Sequence, residues 1–169
     1  DAFDFADLSE AAATMHTDWE DTLAFAASLV ASGSGFQPEH VAAGSPSPGG
    51  LHVFLHDDTF CAVYATNLLM RAADVLVTKP SELAFYPIPT LFLPRVGGHE
   101  AWGAIRGAEL GYGTVECTDT PTTRQALDLL IDADAPLAQY CAAIPRLRDL
   151  GIFNGAYNVV KCAMETEKT

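Results

Sequence analysis

The sequence predicts an α/β protein built on a doubly wound parallel sheet, with a helical N-terminal segment and C-terminal helices. From residue 51 onward, short apolar runs alternate with segments that have helical periodicity. Continuous Val, Ile and Leu runs are typical of parallel strands that helices cover on both faces. Strands that alternate with helices form crossover units of one hand, and these build open sheets. We therefore expect a Rossmann-like, three-layer α/β/α arrangement.

The N-terminal segment, residues 1–50, is predicted to be a helical region followed by a flexible loop. Helix is predicted over residues 7–33, where Asp7 with Glu10 and Thr17 with Glu20 have the spacing of an N-cap and its third residue. An apolar stripe at helical spacing supports this interpretation: Trp19, Leu23, Ala26, Leu29 and Val30. A break into two helices is expected at residues 15–17. The loop follows at residues 42–50, where Gly, Pro and Ser dominate.

The predicted core covers residues 51–135 and contains four strands, at 51–56, 74–78, 90–93 and 114–117. The first helix, over residues 59–71, starts from a cap at Asp58 or Thr59. The connection from 78 to 90 is about a dozen residues, which is near the minimum for a parallel crossover. It has room for one helical turn, because Pro87 and Pro89 prevent a longer helix.

Helices complete the predicted chain. One covers residues 99–110 and is closed by Gly111, and another starts at Thr120 with Pro121 at its first position, where proline is favoured. Residues 136–169 are predicted to be C-terminal helices, the first ended by Gly151 and the last capped by Asn154. We expect residues 1–169 to form a single α/β domain. Since the chain starts at Asp1, we expect it to be a piece of a longer protein, and the resemblance given below implies a larger two-domain protein.

Charge is unevenly spread along the chain. The net charge is −13, and ten acidic residues but no Lys or Arg precede Arg71. This balance argues against nucleic acid as a partner, since binding to phosphate backbones needs a cationic surface. It also argues against attraction to an anionic membrane. We expect a cytoplasmic protein, with membrane association only through parts of a longer protein outside these 169 residues.

Cysteine and tryptophan usage indicates an ordinary core. The four cysteines form no C-x-x-C pair and are predicted to be buried free thiols in a reducing compartment: Cys61, Cys117, Cys141 and Cys162. Trp19 and Trp102 are predicted to be core residues. No metal site and no cofactor is expected from the spacing of His, Cys, Asp and Glu.

Two cations follow two neighbouring predicted strands. Lys79 ends the second strand, Arg95 follows the third, and residues 97–100 (Gly-Gly-His-Glu) lead into a helix. Ligands of open parallel sheets bind outside the carboxyl ends of the strands. Lys79 and Arg95 can contact phosphate there, and the two glycines allow close approach of the backbone to a ligand. The sequence therefore predicts a site for an anionic small molecule, with a nucleotide as the first candidate.

Each of these residues also has a purely structural alternative. Lys79 and Arg95 can be solvated charges at strand ends, and Glu100 can complement a helix dipole rather than bind hydroxyl groups. His99 is a candidate general base, but a histidine beside a loop is more often a satisfied hydrogen-bonding group. Residues 56–59 and 118–119 either line the same edge or cap the helices that follow.

The segments ADVLVTKP, IPTLFLPRVGGHE and GAELGYGTVE resemble the C-terminal, donor-binding half of GT-B glycosyltransferases. The pattern is similar to the family-28 type, which includes the peptidoglycan N-acetylglucosaminyltransferase and the monogalactosyldiacylglycerol synthases. The matching pieces are residues 78–80, 88–94, 98–100 and 111–113, within a resemblance that covers residues 51–130. It implies a UDP-sugar-binding domain of a hexosyltransferase, which needs a missing N-terminal acceptor-binding domain and is not active alone.

The resemblance also implies the substrate-binding residues: Lys79, Ser81, Glu82, Arg95, Gly97, Gly98, His99 and Glu100. The sugar would be transferred by direct displacement. Lys79, Arg95 and a helix N-terminus, rather than a metal, would neutralise the leaving nucleoside diphosphate. The family's Gly-rich loop is replaced here by residues 81–87, where Glu82 stands in for a ribose-binding carboxylate. The alternative is therefore a degenerate, non-catalytic Rossmann-like domain that acts as a ligand sensor or as a protein-interaction module, with the acidic N-terminal helices as its contact surface.

Overall fold

The computed structural model describes residues 13–31, 50–81, 86–132 and 134–166. The protein is mixed α/β, and its described strands form two small sheets of two parallel strands each. The chain divides into two compact units, Asp1–Ala72 and Ala73–Thr169. The predicted α/β class and parallel pairing are confirmed, while the continuous three-layer sheet and the single domain stay predictions.

The N-terminal unit contains a strand where a helix was predicted. Strand β1, Thr14–His16, pairs in parallel with β2, His52–Phe54. The prediction of helix is therefore wrong at residues 14–16, which overlap the break expected at residues 15–17. The reason is that the partner strand lies far along the chain, so no local periodicity reveals the pairing. Residues 1–12 and 32–49, including the predicted Asp7 cap and most of the Gly/Pro/Ser loop, lie outside the described residues.

Two helices accompany these strands. Helix α1, Trp19–Ala31, begins after Asp18, whose Oδ1 accepts hydrogen bonds from the amides of Glu20 at 2.9 Å and Asp21 at 3.1 Å. The cap is therefore one residue later than the predicted Thr17. Helix α2, Thr59–Leu69, begins at Asp58, which accepts from the Phe60 amide at 2.7 Å, so this predicted cap is confirmed.

The C-terminal unit is organised around a second pair of parallel strands. Strand β3, Leu76–Thr78, pairs with β4, Thr90–Phe92, in a register that places Leu76 beside Thr90. The short connection between them therefore joins parallel strands, as predicted.

The predicted fourth strand lies along β4 but is irregular. Thr90 and Gly113 form a parallel bridge, and the Thr114 amide donates to the Thr90 carbonyl at 2.9 Å. The Phe92 amide then donates to the Thr114 hydroxyl at 3.1 Å, and the next ladder bond, at 2.8 Å, runs from the Cys117 amide to the Phe92 carbonyl. That amide is one residue beyond the position that a regular parallel register requires. The segment therefore has the extra residue of a β-bulge, and a side-chain hydroxyl replaces a backbone acceptor there.

Four helices follow these strands along the chain, the first of them after a 3₁₀ turn at Gly98–Glu100. They are α3, Ala101–Leu110; α4, Thr120–Asp132; α5, Asp134–Asp149; and α6, Gly155–Thr166. Gly111 and Gly151 follow α3 and α5 with φ of 78° and 77°, the left-handed conformation that favours glycine at helix ends. In the described part of the chain, no helix combines the length and the apolar character that crossing a bilayer requires.

Helix α3 packs closely against the strands because two of its positions lack a side chain. A Cβ at Gly107 would lie 2.5 Å from Cε2 of Phe92, and a Cβ at Gly103 would lie 2.9 Å from the carbonyl oxygen of Pro80. The strand it covers is the centre of the core, since Leu91 and Phe92 are fully buried. This close approach sets the start of α3 beside the carboxyl ends of β3 and β4.

Some predicted core residues are exposed. Trp102 is 73% exposed, so its placement in the core is wrong: it lies on the outer face of α3, one residue before Gly103. All four cysteines are free, as predicted, but Cys141 and Cys162 are exposed and only Cys117 is buried.

Candidate ligand site at the carboxyl edge

The two predicted cations leave the sheet at the same edge. Lys79 comes directly after β3, and Arg95 follows β4, and the two strands run in parallel. Their carboxyl ends therefore meet on one side, where α/β proteins bind ligands.

Lys79 is paired with a carboxylate of its own chain. Its ammonium group donates a 2.7 Å hydrogen bond to Oε1 of Glu100. The Lys79 side chain is 44% exposed and the Glu100 side chain only 7%. The acidic partner is therefore the enclosed member of the pair, while water still reaches the cation.

Glu100 uses its second oxygen to hold the loop. Oε2 accepts from the Val96 amide at 2.8 Å and the Gly97 amide at 3.1 Å. The Lys79 hydrogen bond, together with those from the Gly97 and Val96 amides, lowers the pKa of Glu100 from 4.5 to about 2. A cation and two successive amides that converge on one anion form the kind of concavity in which phosphates also bind. The carboxylate of Glu100 fills this anion seat, which we define by Lys79, Val96 and Gly97.

Arg95 has its own carboxylate as well. Its backbone amide donates to Oε1 of Glu116 at 2.9 Å, and its guanidinium Nη1 lies 3.5 Å from Oε2 of the same residue. Glu116 belongs to the irregular segment beside β4, so this pair joins two neighbouring strand ends. Both cations of the edge are thus balanced within the protein.

The other predicted residues that the structure describes have no hydrogen-bond partner in common. A Cβ at Gly97 would lie 2.6 Å from the His99 ring, so this ring packs over the glycine, while Gly98 faces open space. His99 is exposed. The Ser81 amide donates to the Lys79 carbonyl at 2.8 Å. Glu82 lies outside the described residues.

Two of the other candidate residues, Asp58 and Asp119, cap helices. Asp58 caps α2, as described above. The Asp119 carboxylate accepts from the Thr122 amide at 2.8 Å, so the cap of α4 is Asp119, one residue before the predicted Thr120. Hydrogen bonds from Thr122 lower the pKa of Asp119. Both carboxylates therefore cap helices, which is the structural alternative to a role in ligand binding.

Sequence reasoning missed a polar cluster in the N-terminal unit. His16 and His52, which have no partner pattern in the sequence, are bonded to each other, with Nε2 of His16 3.0 Å from Nδ1 of His52. Nδ1 of His16 is 2.6 Å from Oδ2 of Asp21. The signal that could have found the pair is the β1–β2 register, since it sets His16 beside Phe54 and two residues from His52. We call the three residues the histidine chain.

These features define a mixed α/β protein with parallel strands and a charge-paired carboxyl edge. The chain belongs to the family DUF6938, a domain of unknown function, whose model matches residues 4–164. No curated protein and no solved structure matches the chain. Within the described ranges, no three His, Cys, Asp or Glu side chains are grouped as ligands of one metal ion.

Proposed function

We propose that the C-terminal unit is a non-catalytic, Rossmann-like ligand-sensing module, derived from a nucleotide-sugar-binding type of domain. The observation that carries this proposal is that Glu100 occupies the anion seat at the carboxyl edge. Its oxygens bond to Lys79 at 2.7 Å and to the Val96 amide at 2.8 Å. These are the donors that a phosphate would need in the same place.

An incoming anion must therefore compete with an internal one. Glu100 is ionised at neutral pH, and its pKa is lowered to about 2 because Lys79 and the two amides favour the charged form. A ligand that enters the seat displaces this carboxylate and releases the Val96 and Gly97 amides from it. Displacement changes the loop that leads into α3, and such a coupled change is what a sensor needs.

A second candidate is the donor-binding domain of a GT-B hexosyltransferase that binds a UDP-sugar. The shared edge of Lys79 and Arg95 favours it, together with the resemblance of the strand-end motifs. In this role Glu100 and Glu82 would accept hydrogen bonds from sugar and ribose hydroxyls, and His99 would be a candidate base. A missing acceptor-binding domain would complete the enzyme.

One substitution separates the two candidates by the sign of its effect. Glu100→Gln removes the competing charge, so the sensor model expects tighter binding of UDP or pyrophosphate, by about tenfold or more, which is the scale of one charge-assisted hydrogen bond. The donor-domain model expects weaker binding of UDP-sugars, because an acceptor for hydroxyl groups is lost. Isothermal titration of the wild type and the variant with UDP, UDP-glucose, UDP-N-acetylglucosamine and pyrophosphate measures both.

The matched control is Glu109→Gln. Glu109 lies on α3, and its carboxylate is paired with Arg106 at 3.3 Å. The same chemical change there should leave every affinity unaltered. Lys79→Ala should abolish binding under both models, and binding that survives it would place the ligand elsewhere.

A further inference from the structure

The histidine chain links the two strands of the N-terminal unit to helix α1. His16 lies on β1, His52 on β2 and Asp21 on α1. The His16 side chain is 5% exposed, and Nε2 of His52 is buried with no hydrogen-bond partner among the described residues. The cluster is a line of three groups that begins at the exposed Asp21 carboxylate and ends at Nε2 of His52.

The hydrogen bonds determine where the protons lie. A carboxylate accepts only, so Nδ1 of His16 carries a proton and donates to Asp21. When both rings are neutral, Nε2 of His16 accepts from Nδ1–H of His52. Nε2 of His52 is then the bare nitrogen, which is the form that suits a buried position where no described group accepts a hydrogen bond.

Protonation of the two imidazoles is incompatible with this set of hydrogen bonds. While the bond between the rings is kept, a first proton places an N–H at Nε2 of His52 whichever ring carries the charge. No described residue offers this buried donor an acceptor. The Asp21 carboxylate, with a side chain 58% exposed, compensates for one positive charge on His16. A second proton puts N–H groups on both facing nitrogens, so the 3.0 Å bond between the rings cannot form. The closed chain therefore holds at most one extra proton, whereas two separated histidines hold two.

The two imidazole rings also pack against aromatic side chains between β1, β2 and α1. The His16 ring stacks on Phe54 with centroids 4.5 Å apart, and the His52 ring packs on Phe25 of α1 at 4.3 Å. Separating the two imidazoles consequently opens the aromatic cluster between β1, β2 and α1. Among the described residues, Asp21 is the charged group bonded to either ring, and α2 brings no titratable side chain into hydrogen-bond or ring contact with them.

We propose that the His16–His52 hydrogen bond is an acid-sensitive latch that holds β1 against β2 at neutral pH and opens on acidification. Imidazole is the side chain that takes up protons in the range from about pH 8 to 5. Opening binds at least one more proton than the closed form, so the closed-to-open ratio falls by up to about tenfold for each pH unit. The latch concerns the N-terminal unit and is independent of the function proposed for the carboxyl edge.

The test follows Trp19, which lies on α1 and packs on His56 and Tyr64. In the full chain with Trp102→Phe, Trp19 is the remaining tryptophan, and its fluorescence during urea unfolding is measured from pH 7.5 to 5.0. The urea concentration at the unfolding midpoint should fall as the pH is lowered. The pH dependence of the unfolding equilibrium should correspond to the uptake of about one proton. His52→Gln should remove that slope, since no second imidazole then faces His16.

The matched control is His56→Gln. His56 lies near β2, and its Nε2 is 3.0 Å from the Thr22 hydroxyl rather than from another histidine. This variant should keep the wild-type slope. The same slope in His52→Gln, or no acid dependence in the wild type, would overturn the proposal.

A measurement on the unmutated rings covers the case in which His52→Gln does not fold. Nitrogen-15 spectra of the histidine rings should show both rings neutral at pH 7.5, with Nε2 of His52 unprotonated. Two imidazolium rings at pH 5.0 beside an unchanged Trp19 environment would refute the latch.

Discussion

The hydroxyl of Thr114 is expected to stabilise the bulged segment beside β4, and Thr114→Val tests this. The hydroxyl accepts a hydrogen bond of 3.1 Å from the Phe92 amide, and Phe92 is fully buried. Valine keeps the shape and the β-branched preference for extended backbone, so the substitution removes little except the acceptor. The Phe92 amide is then left without a partner at a place that water does not reach.

The expected loss in the free energy of unfolding follows from the unpaired Phe92 amide alone. A buried donor without a partner costs about 1–3 kcal/mol. Thr114 itself is only half-buried, so the bulge has some room to adjust, and we expect the lower part of this range, about 1–2 kcal/mol. For a chain of 169 residues this corresponds to a fall in Tm of roughly 2–8 °C.

Two measurements check this loss. Urea unfolding followed by circular dichroism gives the free energy of unfolding, and amide hydrogen exchange followed by NMR gives the protection of the Phe92 amide itself. Because the chain forms two compact units, the residue-level measurement is the more specific one. Protection of Phe92 should fall in Thr114→Val.

Thr114→Ser is the matched control, because serine keeps the acceptor and loses only a methyl group. It should retain the protection of the Phe92 amide. Equal protection in Val and Ser variants would show that the hydroxyl does not hold this amide, and the account of the bulge would then be wrong.

Three further predictions concern packing, acid stability and capping. Gly107→Ala should destabilise by about 1 kcal/mol, since the cost of overpacking against Phe92, about 1–3 kcal/mol, exceeds the gain in helix propensity; Gly98→Ala, with nothing within 4 Å, is the control, and both are measured by urea unfolding. Because the pKa of Glu100 falls from 4.5 to about 2 on folding, its stabilising contribution is complete above pH 4.5 and is lost as the pH falls towards 2; urea unfolding at several pH values should show that Glu100→Gln lacks this part of the acid loss, and identical pH profiles would contradict the assignment. Asp58→Ala should cost about 1 kcal/mol in thermal unfolding through loss of the α2 cap, whereas Asp58→Asn, which keeps an acceptor, should be close to the wild type.

Local chemistry explains what sequence reasoning found. The Asp58 cap and the turn at Gly111 depend on residues within one helical turn of each other, so their patterns are complete in the local sequence. The parallel pairing of β3 and β4 was predictable as well, because a short apolar run, a brief connection and a second apolar run leave few other arrangements. That pairing brings Lys79 and Arg95 to one edge.

The features that could not be predicted from sequence depend on partners that are distant along the chain. Glu100 lies 21 residues from Lys79, and no pattern shows that its carboxylate is the anion in the seat. Residues 14–16 become a strand only because a second strand lies beside them, and the hydrogen bond between His16 and His52 spans 36 residues. Thr114 replaces a backbone acceptor only because the register beside β4 contains one extra residue.

The sequence by itself determined the α/β class, the helix starts to within a residue, the glycine turns, and the edge at which the cations emerge. The tertiary structure alone decided which charges neutralise each other and which imidazoles meet. The physical reason is that caps and periodicity are satisfied by neighbouring residues. A buried charge or ring nitrogen is satisfied by whichever group the packing brings within about 3 Å, at any distance along the chain.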